Sequence, residues 1–194
     1  MNETEIIAVI SECKQGNKEA FTKIIHHFQN KVFHICFHFT GTSQDAEDAA
    51  ADVFIKTYHS LPSFNPRYKF STWLFKITVN HCIGLSRKKK HEKNYLLSQF
   101  PDRRAQESDE KTPCALFFKE LEQERVREAL RSIPVKYQAA LMLKYYRDLS
   151  YREISEILSV PQNTAASLIL RGKKELRKKL RDLKTSEVSN ERKK

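Results

Sequence analysis

Two apolar stripes of helical period, separated by only a few residues, constrain this chain more than any other feature. Ile154, Ile157 and Leu158 share one face in the first, and Ala165, Ile169, Leu176, Leu180 and Leu183 share one in the second. Apolar residues recurring every third or fourth position mark amphipathic helices. Ser150-Tyr151-Arg152-Glu153 opens the first stripe as an S-x-x-E capping box, whose serine and glutamate satisfy backbone donors reciprocally. Ser159-Val160-Pro161 then makes a tight connection. A short capped helix, a tight turn and a longer second helix describe a helix-turn-helix. Its second helix fits the DNA major groove and presents its N-terminal residues to base edges. The later turns carry Arg171, Lys173, Lys174, Arg177, Lys178, Lys179 and Arg181, well placed to meet phosphates. The competing reading is a surface helical hairpin with a solvated basic face. A second basic segment, in the other half of the chain, weighs against it.

That other half is helical as well. Across residues 21–39 the apolar positions are Phe21, Ile24, Ile25, Phe28, Val32, Ile35 and Phe39, one continuous stripe. Gly41 suits a helix stop, and Thr42 or Ser43 suits the next N-cap. Residues 44–61 form a helix with a thin apolar face (Ala46, Ala49, Ala50, Val53, Phe54) and an acidic one (Asp45, Asp48, Asp52). Pro62 and Pro66 bracket a short loop, SFNPRYKF. The next helix is expected to be capped by Ser71 and to run through Trp73, Leu74 and Ile77 to the basic run at residues 87–90.

Residues 91–115 are polar and mixed in charge, contain Pro101 and Pro113, and show no stripe beyond residues 95–97. They read as an interdomain linker. Periodicity returns at Leu116, and Pro134 divides a helix ending near Ser132 from one beginning near Val135. With only 4 glycines and 6 prolines in 194 residues, long helices are favoured over strands and turns. The expected fold is all-α, with two small helical domains joined by a flexible linker. The expected bounds are 1–90 and 119–184, with the linker at 91–118 and a polar, frayed tail at 185–194.

The net charge of +11 points to a polyanionic partner. The N-terminus lacks the basic start and apolar core of a secretory signal, and no apolar run approaches the ~20 residues that span a bilayer. Cys13, Cys36, Cys82 and Cys114 are widely spaced and form no CxxC pair, as expected of reduced thiols in a cytoplasmic protein. Cys36 and Cys82 read as small buried hydrophobes. His27, His34 and His38 share a helical face, but that spacing does not converge them on one ion; a solvated or DNA-facing stripe is expected rather than a metal site. No nucleophile or carboxylate pair stands beside a base, so neither a catalytic site nor a cofactor is expected.

Taken together, the motifs resemble those of bacterial RNA polymerase sigma factors of the small extracytoplasmic-function (ECF) type, which keep only the domains called sigma-2 and sigma-4. The resemblance covers residues 19–183. It rests on Thr40-Gly41, DAEDAAADVFIKTY (45–58) and FSTWLFKITVNHCIGLSRKKK (70–90), then on LRSIPVKYQAALMLKYY (130–146) and LSYREISEILSVPQNT (149–164).

The resemblance implies several roles. Asp45, Asp48, Asp52 and Lys56 would dock on the clamp helices of the polymerase largest subunit, while sigma-4 would meet the flap. Phe64, Tyr68, Lys69, Phe70, Thr72, Trp73, Lys76 and Asn80 would melt and read the minus-ten element. An aromatic, basic loop suits that task, because an unpaired base must be stacked or pocketed and its phosphates neutralised. Both a core and a reading role stay open for Trp73, since such rings are heavily buried. Arg87, Lys88, Lys89 and Lys90 would hold the backbone there. Gln162, Asn163, Thr164, Ala166, Ser167, Leu170, Arg171, Lys174 and Lys178 would meet the minus-thirty-five element. Besides core polymerase and promoter DNA, the resemblance implies an anti-sigma factor as partner.

The chain departs from the family in two places. It reads Ala49-Ala50-Ala51 where relatives usually carry bulkier residues and a glutamine. Ala166, Leu168 and Leu170 stand where a basic residue, an arginine and a histidine or aromatic are common. Minus-thirty-five recognition is therefore expected to lean on phosphates, DNA shape or thymine methyls. The alternative function is a free-standing helix-turn-helix regulator on duplex operators, usually dimeric; the acidic helix and aromatic loop argue against it. A nucleic-acid-processing enzyme lacks the nucleophile or metal-binding carboxylates it would need.

Overall fold

The computed structural model describes residues 1–99 and 117–191, with side chains described for 1–92 and 124–183. The first helix precedes the apolar stripes described above. α1 (Glu3–Lys14) is started by a capping box: Asn2 Oδ1 accepts from Glu5 N, and the Glu5 carboxylate accepts from Asn2 N. Its buried residues are Ile6, Val9, Ile10 and Cys13. A 3₁₀ turn leads into α2 (Phe21–Thr40), whose buried stripe follows the expected positions at Phe21, Ile24, Phe28, Val32 and Ile35. Gly41 ends α2 in the left-handed region at φ 88°, donating its N–H to Phe37 O at 3.0 Å. That backbone conformation favours glycine, and the Arg131 guanidinium lies over the position, where a Cβ would stand 2.8 Å from its Nη1.

Of the two candidate caps for α3 (Ser43–Ser60), Thr42 serves: its hydroxyl accepts from Asp45 N at 3.2 Å. Ala46, Ala49 and Ala50 are buried on α3, and their small side chains let it lie close on α2. The following helix, α4 (Phe70–Gln99), is not capped by Ser71, which lies inside it. Instead Phe70 N donates to Glu3 Oε1 at 2.7 Å, a long-range cap supplied by α1. α4 also continues past residue 90. Residues 91–99 contain no proline and several good helix formers, so nothing stops the helix before Pro101. The remainder of the expected linker, 100–116, lies outside the described residues.

The second half comprises α5 (Phe117–Ser132), α6 (Val135–Leu141), α7 (Tyr151–Leu158) and α8 (Gln162–Glu191). Pro134 separates α5 from α6 as expected. A π-helical turn at Met142–Tyr146 extends α6 and turns Tyr145 and Tyr146 toward solvent, 58% and 49% exposed. Gly172 lets α8 pack against α6: a Cβ there would stand 3.0 Å from Leu141 Cγ. α8 continues through most of the segment expected to fray, reaching Glu191.

The two halves touch. α4 meets α7 and α6, and α2 meets α5. Buried Gln138 donates Nε2–H to His38 O at 2.6 Å, and Arg147 donates Nη2–H to Lys31 O at 2.7 Å. Arg147 also lies over the Phe75 ring, 5.6 Å from its centroid. Among the described residues no helix is long and apolar enough to cross a membrane.

Candidate nucleic-acid interface

The helix-turn-helix is built as its sequence dictates. Glu153 N donates to Ser150 Oγ at 3.2 Å, while the Glu153 carboxylate accepts from Ser150 N at 3.0 Å and from the Ser150 hydroxyl at 2.8 Å. The Ser150 backbone bond, foremost, holds the Glu153 carboxyl below its ordinary range. Ile154 and Ile157 anchor α7, and Ala165 and Ile169 anchor the start of α8. The turn passes through Ser159 at φ 54°, a left-handed conformation uncommon for a residue with a side chain.

This anchoring leaves Gln162, Asn163, Thr164, Ser167, Leu170, Arg171, Lys174 and Lys178 exposed, with Ala166 half-buried. Residues 163, 167, 170, 171, 174 and 178 recur at helical spacing, so they share one face. Asn163, Thr164, Ser167, Leu168 and Arg171 line a shallow open cleft on it. Leu170 projects from the face 70% exposed, a large apolar side chain among polar ones. Leu176, Leu180 and Leu183, expected inward, are only half-buried; Leu176 and Leu180 line a groove facing Phe33 and Phe37 of α2.

The residues of the aromatic loop separate by burial. Phe64 and Phe70, expected to meet DNA, belong to the core instead, 3% and 0% exposed. Their rings meet edge-on at 5.4 Å, and Phe70 also packs on Phe28 at 5.6 Å. Such pairs add about 0.5–1.5 kcal/mol beyond area burial, and withdrawing either ring to stack a base would open the bundle. Trp73 is half-buried and packs on both rings at 5.2 and 5.6 Å, joining the cluster while keeping one edge outside. Thr72 is buried, and Lys76 is half-buried. Tyr68, Lys69 and Asn80 are exposed, Tyr68 at 62%.

Several of the exposed cations already have partners. Lys69 Nζ pairs with Glu153 across the two halves at 3.2 Å. Lys89 Nζ bonds Asp45 Oδ2 at 2.8 Å, and that bond holds the Asp45 carboxyl below its usual range. Lys88 lies 3.8 Å from Glu92. Arg87 and Lys90 are exposed at the same end of the helix.

On α3, Asp48, Asp52 and Lys56 are exposed, whereas Asp45 is half-buried beside Lys89. Ile55 stands among them 57% exposed, and the sequence reading missed it. Its one available signal was an isoleucine on the face opposite Val53 and Phe54. The histidines of α2 do not form a solvated stripe. His38 packs edge-on against Tyr146 of the second half at 4.4 Å, and His34 lies 6.0 Å from the same ring. His27 instead meets the N-terminal amine at 3.3 Å. The buried thiols of Cys36 and Cys82 approach to 3.8 Å in the first-half core, where the hydrogen bond between them and burial raise the Cys82 pKa.

Residues 24–92 match the family model for sigma-70 region 2, and residues 123–176 match that for sigma-70 region 4. The ECF RNA polymerase sigma factor SigW of Bacillus subtilis is 35% identical over 181 residues, spanning 90% of this chain and 96% of that protein. The chain belongs to the sigma-70 family, in its ECF group. It is a sigma factor, a subunit that directs promoter-specific initiation of transcription. Two solved structures share the fold at 20% identity. CnrH, solved in complex with the cytosolic domain of CnrY, superposes with a TM-score of 0.67 over 93% of this chain and 99% of that one. The sigma factor RpoE of Bartonella quintana, solved with the anti-sigma factor NepR, gives 0.65 over 83% and 96%. The two halves of this sigma factor thus correspond to its regions 2 and 4, in that order.

Proposed function

We propose that this sigma factor binds core polymerase through the outer face of α3 and reads promoters at two sites, one per half. Asp48, Asp52 and Lys56 lie beside Ile55 on the outward side of α3 and meet the clamp helices of the largest subunit, with Asp45 at the margin. Tyr68, Lys69, Trp73, Lys76 and Asn80 address the melted minus-ten element, and residues 87–90 hold its backbone. Thr72 supports that surface from beneath. The exposed face of α8, from Gln162 to Lys178, enters the major groove at the minus-thirty-five element, with region 4 also meeting the flap. The domains on this reading are 1–90 and 119–184, joined by 91–118 and followed by the tail at 185–194. The protein works in the cytoplasm, without a cofactor or catalytic chemistry of its own.

One observation carries the docking assignment: Ile55, 57% exposed, shares the outward side of α3 with exposed Asp48, Asp52 and Lys56, away from the face packed on α2 and α4. A large apolar side chain left exposed beside charges suits a protein–protein contact. Geometry adds a requirement. The two promoter elements lie about 25 base pairs apart, about 85 Å at about 3.4 Å per step. In the structure, however, Lys69 of one reading surface pairs with Glu153 of the other half. Reading both elements therefore requires the halves to part. The apolar groove between them is rimmed by Arg127, Lys173 and Arg177; we assign it to an acidic, amphipathic segment of an anti-sigma factor.

Gel filtration with purified core polymerase tests this reading. We expect stoichiometric co-elution with core, weakened at least fivefold by Ile55→Asp, about 1 kcal/mol. Independent elution, together with tight dimeric binding to duplex DNA, would support the operator-binding alternative.

A further inference from the structure

His81 of α4 lies beneath the docking face of α3, its side chain only 6% exposed. Its Nδ1 meets Lys56 Nζ at 2.5 Å, and its Nε2 lies 3.5 Å from Asp52 Oδ2 without a hydrogen-bond partner among the described residues. A lysine ammonium only donates, so Nδ1 must be the acceptor and the proton sits on Nε2, near the Asp52 carboxylate but not hydrogen-bonded to it. The ring must therefore be neutral, and burial, assisted by the Lys56 charge, lowers its pKa in agreement. The charged groups facing it, Asp52 and Lys56, both come from α3.

Asp52 and Lys56 are one helical turn apart, with the acid N-terminal to the base. That is the favourable order for a direct ion pair on a helix. Paired with each other, both charges would be neutralised and unavailable to a partner. With the imidazole between them, Lys56 is held by Nδ1 while Asp52 stays 59% exposed. We infer that His81 is a positioning residue of the sigma factor, interposed to keep Asp52 and Lys56 apart and directed at core polymerase. The inference rests on the assignment of those two residues to core docking.

The test is core-binding affinity, measured by titrating labelled core polymerase with Asp52→Ala, Lys56→Ala, His81→Ala, His81→Asn and the double variant K56A/H81A. Asparagine keeps an acceptor near the place of Nδ1, so it serves as the conservative rescue and guards against a folding defect. We expect His81→Ala to bind core roughly fivefold more weakly, the scale of one lost hydrogen bond. His81→Asn should stay within about twofold of the parent, and the double variant should be no weaker than Lys56→Ala alone, because the two residues act as one unit. Parental affinity in His81→Ala beside impaired Asp52→Ala and Lys56→Ala would overturn the positioning role alone. So would a His81→Asn protein as weak as His81→Ala, or strict additivity in the double variant. Parental affinity in both Asp52→Ala and Lys56→Ala would overturn the docking assignment itself, and this inference with it.

Discussion

Acidification should loosen the junction between the two halves, and His38 sets where. Its half-buried ring packs on Tyr146 and faces Arg127, His34, Arg147 and Arg131. Burial first, and then the neighbouring side chains, Arg127 foremost, push its pKa from 6.5 down to about 4. When the halves part, Arg127, Arg131, Arg147 and Tyr146 leave with region 4, and the ring regains a pKa near its ordinary value. Above pH 6.5 both states hold it neutral, and it exerts no pH-dependent pull. As pH falls through 6.5 the open state binds the proton first, so closure weakens progressively until about pH 4, where the closed state also takes it. At about 1.36 kcal/mol per pH unit, the fall from 6.5 to about 4 sets an upper limit of about 3.4 kcal/mol. Solvent reaching the half-buried ring reduces this to on the order of 2 kcal/mol. The assay is small-angle scattering from pH 7.5 to 4, comparing the parent with His38→Phe, which keeps a ring against Tyr146 and the backbone carbonyl that Gln138 uses. The parent should expand as pH falls below 6.5, while His38→Phe stays compact further into the acid range. Identical expansion of both proteins over the same window would refute the reasoning.

Three further predictions concern the second half. Ser150→Ala removes the hydroxyl that accepts from Glu153 N and should cost about 0.5–2 kcal/mol of stability, read by thermal unfolding, with weaker minus-thirty-five binding as α7 loosens beneath α8. On the proposed reading, which gives Leu170 an apolar base contact, Leu170→Ala should reduce affinity for the preferred minus-thirty-five sequence by roughly fivefold without changing the salt dependence. Lys174→Ala should weaken all sequences alike and lower the salt slope by about one. Filter binding across a salt series separates the two.

The sequence was most informative where one segment determines its own structure. The capping box at Ser150, the stripe of α2, the stop at Gly41 and the break at Pro134 all depend on near neighbours in the chain, and each stands as expected. It misled where a distant residue completes the structure. Ser71 looked like a cap because nothing local shows that Glu3 reaches Phe70 N. Phe64 and Phe70 looked like base-stacking rings because an aromatic loop residue reads the same whether it points outward or closes a bundle. His38 looked solvated because its environment is made by Tyr146, Arg127 and Arg147, remote in sequence. Ile55 and His81 were invisible for a related reason. An exposed isoleucine and a half-hidden histidine gain meaning only once α3 and α4 are laid side by side.

Run-off transcription with purified core polymerase tests the central claim of a two-site promoter reader most directly. Templates carry both elements, a scrambled minus-ten element or a scrambled minus-thirty-five element. Core plus this protein should yield a discrete transcript from the intact template, none with the minus-ten element scrambled, and at least fivefold less with the minus-thirty-five element scrambled. A transcript level indifferent to either element, or no transcription above core alone on promoters the protein binds as duplex, would contradict it.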